Sequence, residues 1–466
     1  MASRAREVQS SVSVVSCHGG TRWAVAGVVA LLAVVPLACG TDGPTPPSQP
    51  EPPPLSGSEA PPVGSILSGA ELPPLPCPVR EDVTAGTVYY IAKNEPGADN
   101  ESCDGLSPTN VGGGRCPFRD FHSSRTFGLL RDAAGVRVEV RTGTYTFQGE
   151  ALTLRGVGSN EAERVVLTAY EDESVVLDGE DRLREVVRLA GSNTTVERLT
   201  LRNAGAYNVE VRGGENHRVQ CNRIQANFRS DSLKGDGGAA NTLVRHNDFS
   251  QWNSQAIDMT DVRNWTVANN SFHDPALPDA FAILAKLGSR HVRIVDNDFR
   301  DSAGIWFGGV SIAHSNRFEA FDVIAENNRF VGLSGVAAKF YSCSNCAFLG
   351  NDVNGAAGGI FLSGERFDGP SGCSGGCTPS RGTRVGGNRF RDMVAGLEGG
   401  PNTFWGMSST EAEGLVSGGN LYCVSGGDTA KFQIDDRVLG FGEWTRSLET
   451  DESSEVKIDL DGNCAF

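Results

Sequence analysis

Three lysines and an aspartate stand at almost the same distance before a recurring asparagine. Lys234, Asp258, Lys286 and Lys339 lie 13, 12, 11 and 12 residues ahead of Asn247, Asn270, Asn297 and Asn351. If each asparagine marks one point of a repeating unit, the four side chains fall in one outward row, with Trp306 beside it. A lysine crowded by other cations sheds its proton more readily and can serve as a base. Further basic groups, or Ca²⁺, can neutralise a substrate carboxylate and stabilise the enolate-like state that forms next to it. These are the requirements of β-elimination on an acidic polysaccharide, in which the proton α to a uronate carboxylate is removed and the glycosidic oxygen leaves. Lys286, in Ala285-Lys-Leu-Gly-Ser289, is the first candidate for the base and Lys234, in Ser232-Leu-Lys-Gly235, the second.

Two other readings compete. The row can be a set of ion pairs tying neighbouring units together, in a chain used for adhesion or scaffolding rather than catalysis. Alternatively, Glu319 and Asp258 can act as the acid–base pair of a glycoside hydrolase. Trp306, His314, Phe318 and Glu319 lie in or beside one lengthened unit, where a loop on a rigid frame builds a binding wall and a Trp ring stacks on a sugar. Trp306, His314, Lys339 and Asp258 are therefore the candidate substrate contacts. Trp252 and Trp265 sit where burial in the core is the simpler account.

The elements that must position these side chains come from the repeat itself. An apolar residue, two variable residues, Asn, one variable residue and another apolar residue recur at Asn222, Asn247, Asn270, Asn297, Asn328, Asn351 and Asn388. The steps are 25, 23, 27, 31, 23 and 37 residues, a period suited to one coil of a solenoid. Apolar and variable residues alternate around each Asn, as in short strands that end at turns. Asn tolerates the left-handed conformation and its amide can bond backbone groups, so stacked turns can form an amide ladder. A second apolar segment follows in each unit, such as Gln255-Ala-Ile-Asp-Met259 and Phe281-Ala-Ile-Leu-Ala285.

Two or three short strands per coil predict an all-β, single-stranded parallel β-helix, and here the chain resembles the right-handed parallel β-helix superfamily. The entry segments Gly86-Thr-Val-Tyr-Tyr-Ile-Ala92, Asp104-Gly-Leu-Ser-Pro108 and Val175-Val-Leu-Asp-Gly179 are similar to the start of bacterial proteins related to family nine pectate lyases. That resemblance implies a Lys base and a Ca²⁺ held by aspartates, for which Asp231, Asp236, Asp258 and Asp261 are the candidates. Where the family has Asp-Asp-x-x-Asp, this chain has Ser254-Gln-Ala-Ile-Asp258, with one acid. Phe118 to Ala133 is predicted to form an amphipathic capping helix over the first coil, because an open solenoid end exposes core and strand edges.

Arg4, Arg6 and Arg22 precede an apolar run, Trp23 to Ala38, that closes at Leu37-Ala38-Cys39-Gly40. This is the layout of a secretory signal, and the Cys at its close resembles a bacterial lipobox, which implies Cys39 as the lipidated residue and a bacterial outer membrane or cell surface as destination. The predicted organisation is signal 1–38, Pro-rich tether 39–80, β-helix 81–425 and C-terminal cap 426–466. Ten cysteines remain beyond Cys17 and Cys39, which in an oxidising compartment predicts disulfides, Cys103–Cys116 and Cys423–Cys464 among them. Cys343, Cys346, Cys373 and Cys377 have spacing that would also suit zinc, the less favoured reading because exported thiols oxidise. A net charge of −16 without a basic tract argues against nucleic acid as a partner. The expected partner is a polysaccharide, bound by a monomer.

Overall fold

The ladder of asparagines is the first thing the structure settles. A computed structural model describes Cys77 and residues 86–147, 149–309, 317–362, 378–394, 403–407, 414–425 and 429–459. From Asn222 through Asn388, the backbone N–H of each repeat asparagine donates to Oδ1 of the next, at 2.9–3.0 Å. The last acceptor is Asn420, an eighth member that the sequence pattern did not include. Each such bond contributes about 1 kcal/mol net, and the buried amides would be costly to leave unpaired.

The left-handed residue is not the ladder asparagine. It is the residue before it: Cys221, His246, Asn269, Asp296, Asn327, Gly350, Gly387 and Gly419 all have φ between 54° and 64°. The turn thus divides two tasks between neighbours, one bending the chain and the next satisfying its amides. Two residues after the ladder Asn, Phe249, Phe272, Phe299 and Phe330 stack with centroids 4.6–5.0 Å apart. That separation matches the spacing of adjacent strands, so one ring per coil fills the core without a gap.

Three short strands per coil form three parallel sheets among the described residues. Register is kept without slippage along the core file Val219, Val244, Val267, Ile294, Ala325, Phe348 and Val385, all buried. Trp252 and Trp265 are fully buried, as expected. Past Met407, the strand Lys431–Ile434 pairs antiparallel with Arg437–Gly440, which interrupts the parallel stack. The helix Phe441–Leu448 then lays Trp444 against Trp405 and Phe432, with ring centroids 5.3 and 5.0 Å away. Buried Asp451 closes the polar end, accepting from Ser417 Oγ, Tyr422 Oη and Trp444 Nε1 at 2.8, 2.8 and 3.1 Å.

The expected helix over Phe118–Ala133 is a correction. Only Ser124–Gly128 is helical, capped by Ser123, and Arg131–Ala133 is a strand. Phe118, Phe121 and Leu130 are buried all the same. Their spacing mimicked a helical stripe, but Phe118 bridges to Ile91 as extended chain. Cysteines pair as Cys103–Cys116, Cys343–Cys346 and Cys77–Cys221. Cys343 and Cys346, bonded to each other, present no thiolates to zinc; Cys373 and Cys377 lie outside the described residues. Cys423 is also disulfide-bonded, while Cys464, the signal segment, Cys39 and the tether up to Cys77 lie outside.

Candidate functional site

The strands Leu233–Asp236, Ile257–Thr260, Phe281–Lys286, Ala303–Gly308 and Val336–Tyr341 are successive neighbours in one sheet. Ile257, Met259, Ile283 and Ala285 point into the core, so the alternate residues face outward. Lys234 pairs with Asp258, Asp258 with Leu284, Leu284 with Trp306 and Trp306 with Lys339. The expected row therefore exists, but Leu284 takes the place given to Lys286. Lys286 lies two residues further on, opposite Thr260, in the adjoining file of the same face.

Both lysines nonetheless reach one atom. Lys234 Nζ lies 2.5 Å and Lys286 Nζ 3.4 Å from Asp258 Oδ2, and Lys234 also donates to Thr260 Oγ1 at 2.7 Å. The expected alternation of Lys, Asp and Lys thus brings the carboxylate between the two ammonium groups, so that neither lysine is crowded by cations alone. Asp258 is buried, and its Oδ1 has no hydrogen-bond partner among the described residues. Asp231 stands at the corner before the Leu233 strand and accepts from Gln255 N at 3.2 Å. Burial, with the charge of Asp258 adding to it, pushes the Asp231 carboxyl up to about 6.

That shift carries a signed prediction. A carboxyl that holds its proton more tightly when folded makes the protein lose stability as pH rises from about 4 to about 6. Asp231→Asn keeps the acceptor for Gln255 N and removes the titration. Its melting temperature is expected to exceed that of the wild type above pH 6, with the advantage gone below pH 4. Thermal melts across that range check it; a constant difference would contradict it.

The polar face continues past Lys234. Arg188 Nε holds fully buried Glu210 at 2.5 Å, and Arg212 lies 3.9 Å from Asp236. Burial and the neighbouring Glu210 raise the carboxyls of Glu185 and Asp236. On the other side, Lys339 Nζ sits 4.4 Å over the Trp306 ring, and Phe281 packs against Trp306 at 5.3 Å. The face thus changes from charged to aromatic along the helix axis.

Other expected site residues separate. Glu319 is fully buried and its Oε2 accepts from Leu287 N at 2.9 Å, so it is not displayed to a sugar beside Asp258. His314 lies outside the described residues. The four aspartates do not gather as calcium ligands: among the described residues no three His, Cys, Asp or Glu side chains come together to hold a metal ion. Asp258 Oδ2 is taken by two ammonium groups, Asp236 faces Arg212, and Asp261 is exposed on a turn. One signal missed in the sequence is compositional. Only six of 41 Lys and Arg residues are lysine, and three of those six lie on this face.

Residues 185–368 match the family model described as "Right handed beta helix region". The fold is a right-handed parallel β-helix. The matched stretch includes the strands that carry Lys234, Asp258, Lys286, Trp306 and Lys339. Solved structures similar to this β-helix include a pectate lyase, Pel9A, at 13% identity over 82% of each chain with a TM-score of 0.40. An alginate lyase from Paenibacillus sp. str. FPU-7 is similar at 12% identity, over 57% of this chain and 91% of its own, TM-score 0.40. The Azotobacter vinelandii mannuronan C-5 epimerase AlgE6 A-module is similar at 15% identity, over 68% and 95%, TM-score 0.39. No curated protein matches the sequence.

Proposed function

We propose that this face binds an acidic polysaccharide along the helix axis and cleaves it by β-elimination, with Lys286 as the base. The observation that carries the reading is the gathering of Lys234, Lys286, Trp306 and Lys339 on one outward face of a parallel sheet, with Lys234 and Lys286 both within reach of Asp258 Oδ2. Elsewhere the chain meets its need for cations almost entirely with Arg, which cannot be deprotonated in proteins; Lys can exchange its proton. Lys234 is the closer partner of Asp258 and keeps that carboxylate neutralised, while Lys286, at the end of its strand, is the one placed to turn toward substrate. The Lys286 Nζ lone pair takes the proton α to the uronate carboxylate, the electron pair of that C–H bond forms the C=C bond, and the glycosidic C–O bond breaks. The leaving oxygen takes up a proton from solvent. Lys234 and Lys339 supply positive charge for substrate carboxylates, and Trp306 supplies a ring for a sugar face. The disulfides agree with an exported protein, which we place at the cell surface on a Cys39 lipid.

The test is growth of the absorbance of unsaturated uronate ends on pectate, alginate and glycosaminoglycans, with and without chelator. Product is expected on one of these and is expected to persist in chelator, because lysines rather than an aspartate cluster face the substrate. No product on any of them would overturn the reading. Trp306→Ala is expected to weaken binding of the responsive oligosaccharide by about tenfold, read by calorimetry; unchanged affinity would remove Trp306 from the binding surface.

A further inference from the structure

Lys286 is the last residue of its strand, so the direction of its ammonium depends on what holds the next two residues. Leu287 has φ of 54° and Gly288 of 92°, a tight turn that a leucine does not choose unaided. Glu319 holds both amides of that turn. Its side-chain Oε2 accepts from Leu287 N at 2.9 Å and its backbone carbonyl accepts from Gly288 N at 2.7 Å. Glu319 is itself fixed from the coil beyond, its N–H donating to Ser342 O at 2.7 Å. Ser289 Oγ donates to the Lys286 carbonyl at 2.8 Å and closes the arrangement.

Glu319 and the stem of Lys286 also share one packing partner. A Cβ built on Gly309 would lie 3.4 Å from Lys286 Cβ, 3.7 Å from Lys286 Cδ and 3.6 Å from Glu319 Oε2. The bare backbone of Gly309 therefore lies over both. At its neighbour Gly308, with φ of 95°, a Cβ would meet Tyr341 O at 1.8 Å and Glu319 Cβ at 3.4 Å. With no Cβ at Gly309, no side chain of its own separates its backbone from the lysine stem.

We infer that Glu319 is a positioning residue: its buried carboxylate fixes the Leu287–Gly288 turn and thereby aims the Lys286 ammonium at Asp258 and at the substrate. The inference rests on the reading of Lys286 as the base, but the placement of Lys286 can be measured without turnover. Glu319 has none of its surface exposed, so it acts through the turn and not by touching sugar. This separates it from the acid–base role open to it in a glycoside hydrolase. An amide oxygen can accept the Leu287 N–H as a carboxylate does, so the acceptor, and not the proton, is what the site requires of this side chain.

The experiment compares Glu319→Ala and Glu319→Gln with the wild type by two readouts. The first is kcat and KM on the responsive polyuronate. The second is the side-chain NMR line of Lys286 in protein labelled at the lysine ε-carbon, assigned with Lys286→Arg. Misplacing a reacting group by about 1 Å can cost about 10²-fold. Glu319→Ala is therefore expected to lower kcat by about 10²-fold with KM within about threefold, and to move the Lys286 line. Glu319→Gln is expected to recover most of the rate and to leave the line in place. If Glu319→Ala does not fold, Glu319→Asp, one methylene too short to reach Leu287 N, takes its place with the same expectations. An unmoved line in the Ala or Asp variant overturns the inference. So does a Gln variant as slow as the Ala variant with the line in place, which would assign the carboxylate a proton to transfer. If the wild type makes no product from any polyuronate, the reading of Lys286 as base fails, while the NMR line still decides whether Glu319 positions Lys286.

Discussion

Lys286→Ala is expected to lower kcat by about 10³-fold on whichever polyuronate the wild type cleaves, while KM stays within about threefold. The loss falls on kcat because the base acts on a proton that moves only in the transition state. Lys286→Arg sharpens the test. Arginine keeps the positive charge that attracts a substrate carboxylate, but it cannot give up its proton, so binding is expected to survive and turnover to fall as far as in the alanine variant. Lys234→Arg is expected to behave differently. Lys234 is bonded to Asp258 Oδ2 and Thr260 Oγ1, a task that needs a charged donor and no proton exchange, so its loss should stay within about tenfold. Steady-state kinetics of the three variants decide the matter. An active Lys286→Arg, or a Lys234→Arg as inactive as Lys286→Ala, would transfer the role of base away from Lys286.

The sequence was most informative where one physical requirement repeats. A ladder amide is needed once per coil, so Asn222 through Asn388 were visible as a pattern, and the file of phenylalanines two residues later came with them. Asn420 escaped because the residues around it, Val416-Ser-Gly-Gly-Asn420-Leu, depart from the spacing of the apolar positions while keeping the left-handed glycine and the amide. The site was legible by face but not by file. Counting back from each asparagine carries an error of a residue or two, and a shift of two leaves a side chain on the same face of a strand but moves it to another row. Lys286 fell into that gap. What the count could not reveal is distance: Asp258 was expected in the row with the lysines, but only the three-dimensional register shows both ammonium groups reaching the same carboxylate oxygen. Glu319 was misread for a related reason. A carboxylate in a lengthened unit looks like a catalytic acid in sequence, and nothing in its neighbours announces that it is buried against the turn after Lys286. The Phe118–Ala133 segment shows the reverse error, since burial of Phe118, Phe121 and Leu130 needs apolar residues at intervals but no helix to carry them.

The largest effect on stability is expected at the middle of the ladder. Asn297 Oδ1 accepts from both Asn270 N and Asn270 Nδ2, at 2.9 and 3.0 Å, while its own Nδ2 donates to Val267 O, Val295 O and Asn328 Oδ1 at 2.9–3.0 Å. Asn297→Ala removes this whole set and leaves the buried Asn270 amide and the Val267 carbonyl without these partners. At about 1–3 kcal/mol for each buried group left unpaired, the cost is about 3–4 kcal/mol. Asn297→Asp has nearly the same shape and is expected to be worse at neutral pH. One carboxylate oxygen can still accept from Asn270, but the other faces two carbonyls and the Oδ1 of Asn328, acceptors that cannot offset its charge. Burial without a cationic partner raises the folded-state pKa of the new acid above its unfolded value, so the folded state binds the proton more tightly. Stability of Asn297→Asp should therefore increase as pH falls and the acid becomes neutral, approaching the alanine variant or passing it. Because coils contact mainly their neighbours, the damage is expected to be local first. Hydrogen exchange at the Asn270 amide should accelerate more than that at Asn222, and urea melts at pH 4 and pH 7 should show the deficit of the Asp variant against the Ala variant shrinking at the lower pH. Equal melts at both pH values would mean that the ladder is merely filled space, and that the turns are held by their left-handed residues alone.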